Sequence, residues 1–207
     1  MPTIRPVILA FDTSSASCTA ALFDGDGACV SRRDEMIGRG HAERLVPMIA
    51  ELLDGRKPGQ ILVGVGPGSF TGIRVAIAAA HGLAIGWGAE LHGMSSLALL
   101  AAGVGTDEEI AAALSGGHGE LFVQQFSAAS PTSELRNLAP AEAARFATAK
   151  VVIGSGAGEL VEARGWGEAH DLLPSASSAP RLPEPLRTLP AKPVYARAPD
   201  AKVREAA

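Results

Sequence analysis

The chain has 207 residues, a formal net charge of −4 and 47% apolar side chains. That size supports one large domain or two small ones, with roughly 70% of the unfolded surface buried on folding. The apolar share excludes a disordered chain, and the acidic balance excludes a strongly basic nucleic-acid binder.

Val7 to Phe11 is a continuous apolar run ending in Asp12 and predicts a buried strand. Thr19–Phe23 and Ala28–Arg33 predict two more strands. Between them Asp24-Gly25-Asp26-Gly27 is a hairpin signal, because glycine supplies the positive φ of a tight turn. His41 to Asp54 predicts an amphipathic helix: Leu45, Met48, Ile49, Leu52 and Leu53 form one stripe, Gly55 stops it, and Pro47 either lies near the first turn or kinks it. Ile61–Val65 predicts a fourth strand. It enters Gly66-Pro67-Gly68-Ser69-Phe70-Thr71-Gly72 and an Ala- and Gly-rich helix from Thr71 to Gly86. Met94–Ala102 predicts a short helix.

In the second half, Ile110–Leu114 and Glu120–Phe126 flank a wide Gly-rich turn. Pro140–Ala149 is helical, with proline at a permitted first position. Val151–Ile153 is a strand that leads through Gly154-Ser155-Gly156-Ala157-Gly158 into a helix ending at Arg164. From Pro174 onward lie seven of the fourteen prolines, which predicts extended or irregular chain. Hairpin strands followed by strand–helix alternation imply an α/β chain of the actin-like ATPase (ASKHA, ribonuclease-H-like) fold. Its two lobes are expected at residues 1–103 and, in reduced form, at 104–207.

Several features carry chemistry or exclude it. Asp12-Thr13-Ser14 follows the first strand, where a concave run of N–H and hydroxyl donors would hold phosphate; an Asp-stabilised turn explains the same residues. Gly66 to Arg74 lacks the Gly-Lys-Ser/Thr of a Walker A loop. Its glycines precede a helix N-terminus that favours anions, but a Ser69 or Thr71 cap is the favoured reading. The histidines (His41, His81, His92, His118 and His170) include no i, i+4 pair, so no metal is expected. Cys18 and Cys29 both read as buried free thiols. No Lys or Arg occurs between Arg74 and Arg136, a stretch that should repel phosphate, whereas residues from Leu172 onward carry six Lys/Arg against three Asp/Glu. That tail reads as a solvated end in preference to an RNA contact. Val75–Ala89 is the longest uncharged apolar run, too short and Gly-rich to span a bilayer. The N-terminus lacks the long apolar stretch of a signal peptide, so a cytoplasmic location is expected.

Ile8-Leu9-Ala10-Phe11-Asp12-Thr13-Ser14, His41 to Ile49 and Gly66 to Arg74 occur in that order. Met94-Ser95-Ser96-Leu97, Gly119-Glu120-Leu121-Phe122, Val152 to Gly156 and Pro193-Val194-Tyr195-Ala196-Arg197 follow. The set resembles the bacterial TsaB (YeaZ) family. The resemblance implies a non-catalytic subunit of the machinery that makes threonylcarbamoyladenosine in tRNAs reading ANN codons. In that machinery TsaC makes threonylcarbamoyl-AMP, TsaD transfers the carbamoyl group, and the ATPase TsaE joins the TsaB–TsaD pair.

It further implies that His41, Arg44, Leu45, Met48, Ile49 and Leu52 of the first helix form a TsaD-pairing surface. Phe70, Arg74, Ile77, Ala78 and His81 of the second complete it. Asp12, Thr13 and Ser14 would be a degenerate phosphate loop. A homodimer is expected when the chain is alone, tRNA is met only indirectly, and no cofactor, metal or membrane is implied. Family members often carry Asp and Arg in the turn before the Gly-Glu pair, where this chain has Ser115 and Gly117. Two other readings stand beside this one: a free-standing actin-like nucleotide phosphotransferase, and a glycoprotease-type peptidase.

Overall fold

A computed structural model describes residues 6–195. The expected tail cations Arg197, Lys202 and Arg204, and the last two residues of the Pro193–Arg197 motif, lie outside the described residues.

The first sheet holds β1 (Ile8–Asp12), β2 (Ser17–Phe23), β3 (Cys29–Met36), β4 (Gln60–Gly64) and β5 (Glu90–Met94) in the order β3-β2-β1-β4-β5. The first three strands are antiparallel; β4 and β5 run parallel to β1. This is the ribonuclease-H-like arrangement implied by the element order. The β2–β3 turn forms as the sequence predicts: Gly27 has φ 87°, and the Asp24 carboxylate accepts from the Asp26 and Ala28 N–H groups.

The second sheet holds β6 (Ile110–Ser115), β7 (Leu121–Ser127), β8 (Ser130–Pro131), β10 (Val151–Ile153) and β11 (Glu168–His170), with β9 (Arg136–Leu138) paired to β7. Its outer strands are only two or three residues long, so this lobe is the reduced one.

Strand alternation builds a stack of layers. Leu9, Phe11, Cys18, Ala20, Leu22, Ile61 and Val63 point to one face of the first sheet. There they meet Leu45, Met48, Ile49 and Leu52 of α1 (His41–Leu53) and Ile73, Ala76, Ile77 and Ala80 of α2 (Phe70–Trp87). Ala10, Ala21, Phe23, Leu62 and Met94 point the other way. They meet α3 (Ser96–Val104), the 3-10 helix Ala176–Arg181, and Ile110, Ala112, Leu114 and Phe126 of the second sheet. The far face of that sheet is covered by α4 (Pro140–Phe146) and α5 (Ala157–Arg164) through Ala143, Ala157 and Leu160. A short α6 (Glu184–Arg187) follows the 3-10 helix.

Three departures from the sequence reading have physical causes. Glu90–Met94 is an edge strand, although no strand is legible there; only Gly93 and Met94 are buried, and parallel pairing with β4 sets it. Cys29 is exposed, not buried, because it opens the edge strand β3; Cys18 is buried as expected. The Pro-rich end returns to the first sheet: the Ala176 N–H donates to Thr19 Oγ1, Leu189 pairs with Gly93, and the Val194 N–H donates to Val65 O. Gly93 is required at that crossing, since a Cβ there would strike Pro190 O and Val65 Cγ1. α2 is long and apolar enough, by length and composition alone, to cross a membrane, yet one of its faces is built into the core.

α1 is tied to β3 by Arg44. Its Nε and Nη2 donate to the two Glu35 oxygens at 2.7 and 2.6 Å, and its Nη1 donates to Glu51 at 2.9 Å. These hydrogen bonds hold both carboxyls below the ordinary glutamate value of 4.5. A carboxyl lowered in the folded state stabilises above its unfolded value and ceases to do so as pH falls through its folded value. Arg44→Met should therefore lower the Tm at pH 7, with the gap to the parent chain closing as pH falls below 4.5. Thermal melts of both chains from pH 7 to 3 check this; a gap constant with pH refutes it.

Candidate functional site

The parallel strands β1 and β4 end side by side, and the loops leaving them meet. Asp12 closes β1 and is fully buried. Its Oδ1 accepts from the Ser14 N–H and the Ser14 hydroxyl, both at 2.6 Å, and its Oδ2 accepts from the Ser96 hydroxyl at 2.6 Å. Ser96 Oγ in turn accepts from the Gly66 N–H at 3.2 Å, and the Ser96 N–H donates to Gly66 O. Thr13 Oγ1 donates to Gly72 O at 2.7 Å, and the Ser69 N–H donates to Ser14 O at 2.6 Å.

Glycine makes this approach possible. A Cβ on Gly64 would overlap the Asp12 carboxylate, one on Gly68 would overlap Ser14 O, and one on Gly72 would overlap Thr13 O. The Asp12-Thr13-Ser14 segment is thus no open phosphate cradle. All three side chains are buried and their hydroxyls are spent on protein acceptors. The turn alternative fits these residues: the Asp12 carboxylate accepts from the N–H two residues on. The favoured cap reading at the next loop also fits, since Ser69 Oγ accepts from the Gly72 N–H at 3.2 Å.

The helical residues expected on a partner surface divide into two sets. Leu45, Met48, Ile49, Leu52 and Ile77 are turned inward and fill the core beneath α1 and α2. They hold the helices on the sheet. Phe70, Arg74, Ala78 and His81 are exposed and lie four, four and three residues apart, so they form one outward stripe on α2. Ile85, 84% exposed, continues that stripe and is missing from the sequence reading. The spacing could have found it, since it follows His81 by four. Arg44 and His41 are half-buried; Arg44 is engaged with Glu35 and Glu51, and His41 Nε2 is shielded with no hydrogen-bond partner.

The head of the stripe is built by stacking. The Arg74 guanidinium carbon lies 3.5 Å from the Phe70 ring centroid, and both Nε and Nη2 donate to Tyr195 Oη at 3.2 Å. His81 Nε2 donates to Ala191 O at 3.3 Å. The Pro-rich end therefore runs beside the stripe while Phe70 stays 56% exposed.

Residues 34–155 match the family model described as TsaD, tRNA N6-adenosine threonylcarbamoyltransferase. A solved structure titled YeaZ from Pseudomonas aeruginosa superposes with TM-score 0.75 at 29% identity, covering 91% of this chain and all of that one. A second, an uncharacterized protein with similarity to peptidase YEAZ from the same organism, gives TM-score 0.76 at 31% identity over 92% of this chain and 99% of that one. This chain belongs to the TsaB/YeaZ family. The tRNA threonylcarbamoyladenosine biosynthesis protein TsaB of Escherichia coli is 38% identical over 101 residues, 46% of this chain and 43% of that protein. Its Haemophilus influenzae counterpart is 37% identical over 100 residues, 45% of this chain and 41% of that protein. The match thus spans less than half the length of these curated relatives. The expected actin-like fold is the fold of the TsaB/YeaZ structures.

Two tests follow from this geometry. Gly72→Ala places a methyl group against Thr13 O and should cost about 2 kcal/mol or more, a Tm fall of roughly 4–8 °C for a domain this size. An unchanged melting temperature would show that the two loops do not press together. Burial, then the Glu35 carboxylate, push the Cys18 thiol up to about 11, and its sulfur sits 3.9 Å from Met48 Sδ. The native TsaB/YeaZ chain should present one rapidly titrated thiol to a disulfide reagent at pH 8, and Cys29→Ser should remove it. Rapid labelling of the Cys29→Ser chain would contradict the packing around Cys18.

Proposed function

We propose that this chain is a non-catalytic partner subunit in tRNA threonylcarbamoyladenosine biosynthesis, docking onto TsaD through the outward stripe of α2. The observation that carries the reading is the mismatch between composition and burial in that helix. α2 has one cation and no acidic residue in 18 positions, yet only Gly72, Ile73, Ala76, Ile77 and Ala80 are buried. An apolar helix covered on one side only is an unfinished interface. Its exposed residues are those that dominate binding energy when covered: an aromatic ring, an arginine stacked on it, and an isoleucine. The TsaB names of the curated relatives supply the process, and the TsaD-type family model suits a paralogue pairing with its like.

The closed Asp12–Ser14 junction supports a subunit without its own nucleotide chemistry, because its donors already serve protein acceptors. In this reading TsaE joins the assembled pair, tRNA is met through TsaD, and the assembly works in the cytoplasm. In the absence of TsaD the same stripe pairs two copies of this chain about a two-fold axis.

The decisive experiment is reconstitution. TsaC, TsaD and TsaE are combined with tRNA, threonine, bicarbonate and ATP, and threonylcarbamoyladenosine is quantified by mass spectrometry with and without this chain. Product is expected only with it. Ile85→Asp and Phe70→Ala, both at exposed positions, should leave the Tm unchanged while weakening TsaD capture about tenfold or more. Equal product without this chain would refute the role. Full capture by both variants would refute the surface.

A further inference from the structure

On the opposite side of the first sheet from α1 and α2, the edge strand β3 and the 3-10 helix Ala176–Arg181 wall an open cleft of about 480 Å³. Arg32 lines it from β3 and Arg181 from the 3-10 helix, with Cys29, Val30, Ser31 and Ser177 completing the lining. We propose that this cleft binds the phosphate group of a nucleotide or of an RNA backbone. The inference rests on these residues alone and does not depend on the partner-subunit reading.

Three observations carry it. First, among the described residues neither guanidinium has an ion-pair or hydrogen-bond partner. These two cations come from segments about 150 residues apart and line one cleft, in a chain whose net charge is −4. Second, the geometry is set by the fold. The 3-10 helix is fixed to the sheet by the Ala176 N–H on Thr19 Oγ1 and by Ser175 Oγ on Asp34. The Arg181 guanidinium lies over the C-terminal glycine of α3, so that a Cβ on Gly105 would come 3.5 Å from its Nη1. Asp34, the carboxylate on this side of β3, accepts from the Thr19 and Ser175 hydroxyls and does not line the cleft. Third, the chemistry selects the ligand. Guanidinium forks match phosphate oxygens, and two forks supply more donors than one carboxylate can accept. The volume exceeds that of a bare phosphate ion, and exposed Val30 offers an apolar wall to the group that carries it.

The test titrates the full chain with adenosine, with AMP and with a single-stranded RNA 12-mer lacking terminal phosphates, by calorimetry and anisotropy. AMP or the RNA should bind and adenosine should not. Arg32→Gln and Arg181→Gln should each weaken binding about tenfold, the loss of one charged hydrogen-bonding group. Arg145→Gln in the second lobe should change nothing, and all three chains should melt as the parent does. If RNA is the ligand, each cleft substitution should also flatten the slope of log affinity against log salt by about 0.7. Binding of AMP alone assigns the phosphate to a mononucleotide; binding of RNA alone assigns it to the backbone. Bound ligand should slow alkylation of Cys29, which lines the same cleft. No binding by AMP or RNA, or binding that survives the Arg32→Gln/Arg181→Gln double substitution, overturns the proposal.

Discussion

The architecture hangs on the buried carboxylate of Asp12. A carboxylate removed from water is costly unless its oxygens are satisfied by well-placed donors. Here three donors are gathered from two distant places: Ser14 in the loop that follows β1, and Ser96 at the start of α3. Ser96 also grips the Gly66 backbone, so the same carboxylate fixes the exit of β4. The loop after β4 launches α2, and α3 carries the chain toward the second sheet. The direction of both helices is therefore set within a few ångströms of one side chain. The glycines at 64, 68 and 72 are the steric condition for this closeness. Where a related fold could open a pocket for phosphate, this chain has a packed polar junction.

That junction bears on function by what it leaves for the rest of the molecule to do. With the strand-end region filled, two places on the surface of the described residues stand out. One such place is the outer stripe of α2, apolar and crowned by the Phe70–Arg74–Tyr195 stack. The other is the cleft beneath β3, lined by two guanidinium groups without a partner among the described residues. They lie on different sides of the first sheet, so a partner on one would not cover the other. In the proposed role the chain acts through these surfaces, and the buried junction behind them fixes where they lie.

The same helices show why composition is a poor guide to which residues are left exposed. α1 and α2 both carry apolar residues at helical spacing, but the two sets have opposite fates. Leu45, Met48, Ile49 and Leu52 satisfy the sheet, which is the nearest large apolar surface. Beyond its own sheet-facing side, α2 has apolar side chains left over, and these face outward. Arg44 serves a third purpose: it secures α1 to the edge strand through Glu35, while Glu51 of α1 itself holds the guanidinium from the other side.

The sequence by itself determined the order of the early strands and helices. Apolar runs, hairpin glycines and the 3.6-residue stripe are local signals that need no tertiary context. It also determined the family, because the segments at Asp12, His41 and Gly66 are distinctive in order and content. Only the tertiary structure decided that Asp12, Thr13 and Ser14 face inward, since Thr13 donates to a residue about 60 positions away and Asp12 accepts from one about 80 positions away. It alone made Glu90–Met94 a strand, because that segment has little apolar patterning and is held by pairing with β4. It alone exposed Cys29 and placed Arg181 and Arg32 on one cleft. Neighbours so far apart in sequence meet only after the sheet has formed, and no periodicity within either segment records the meeting.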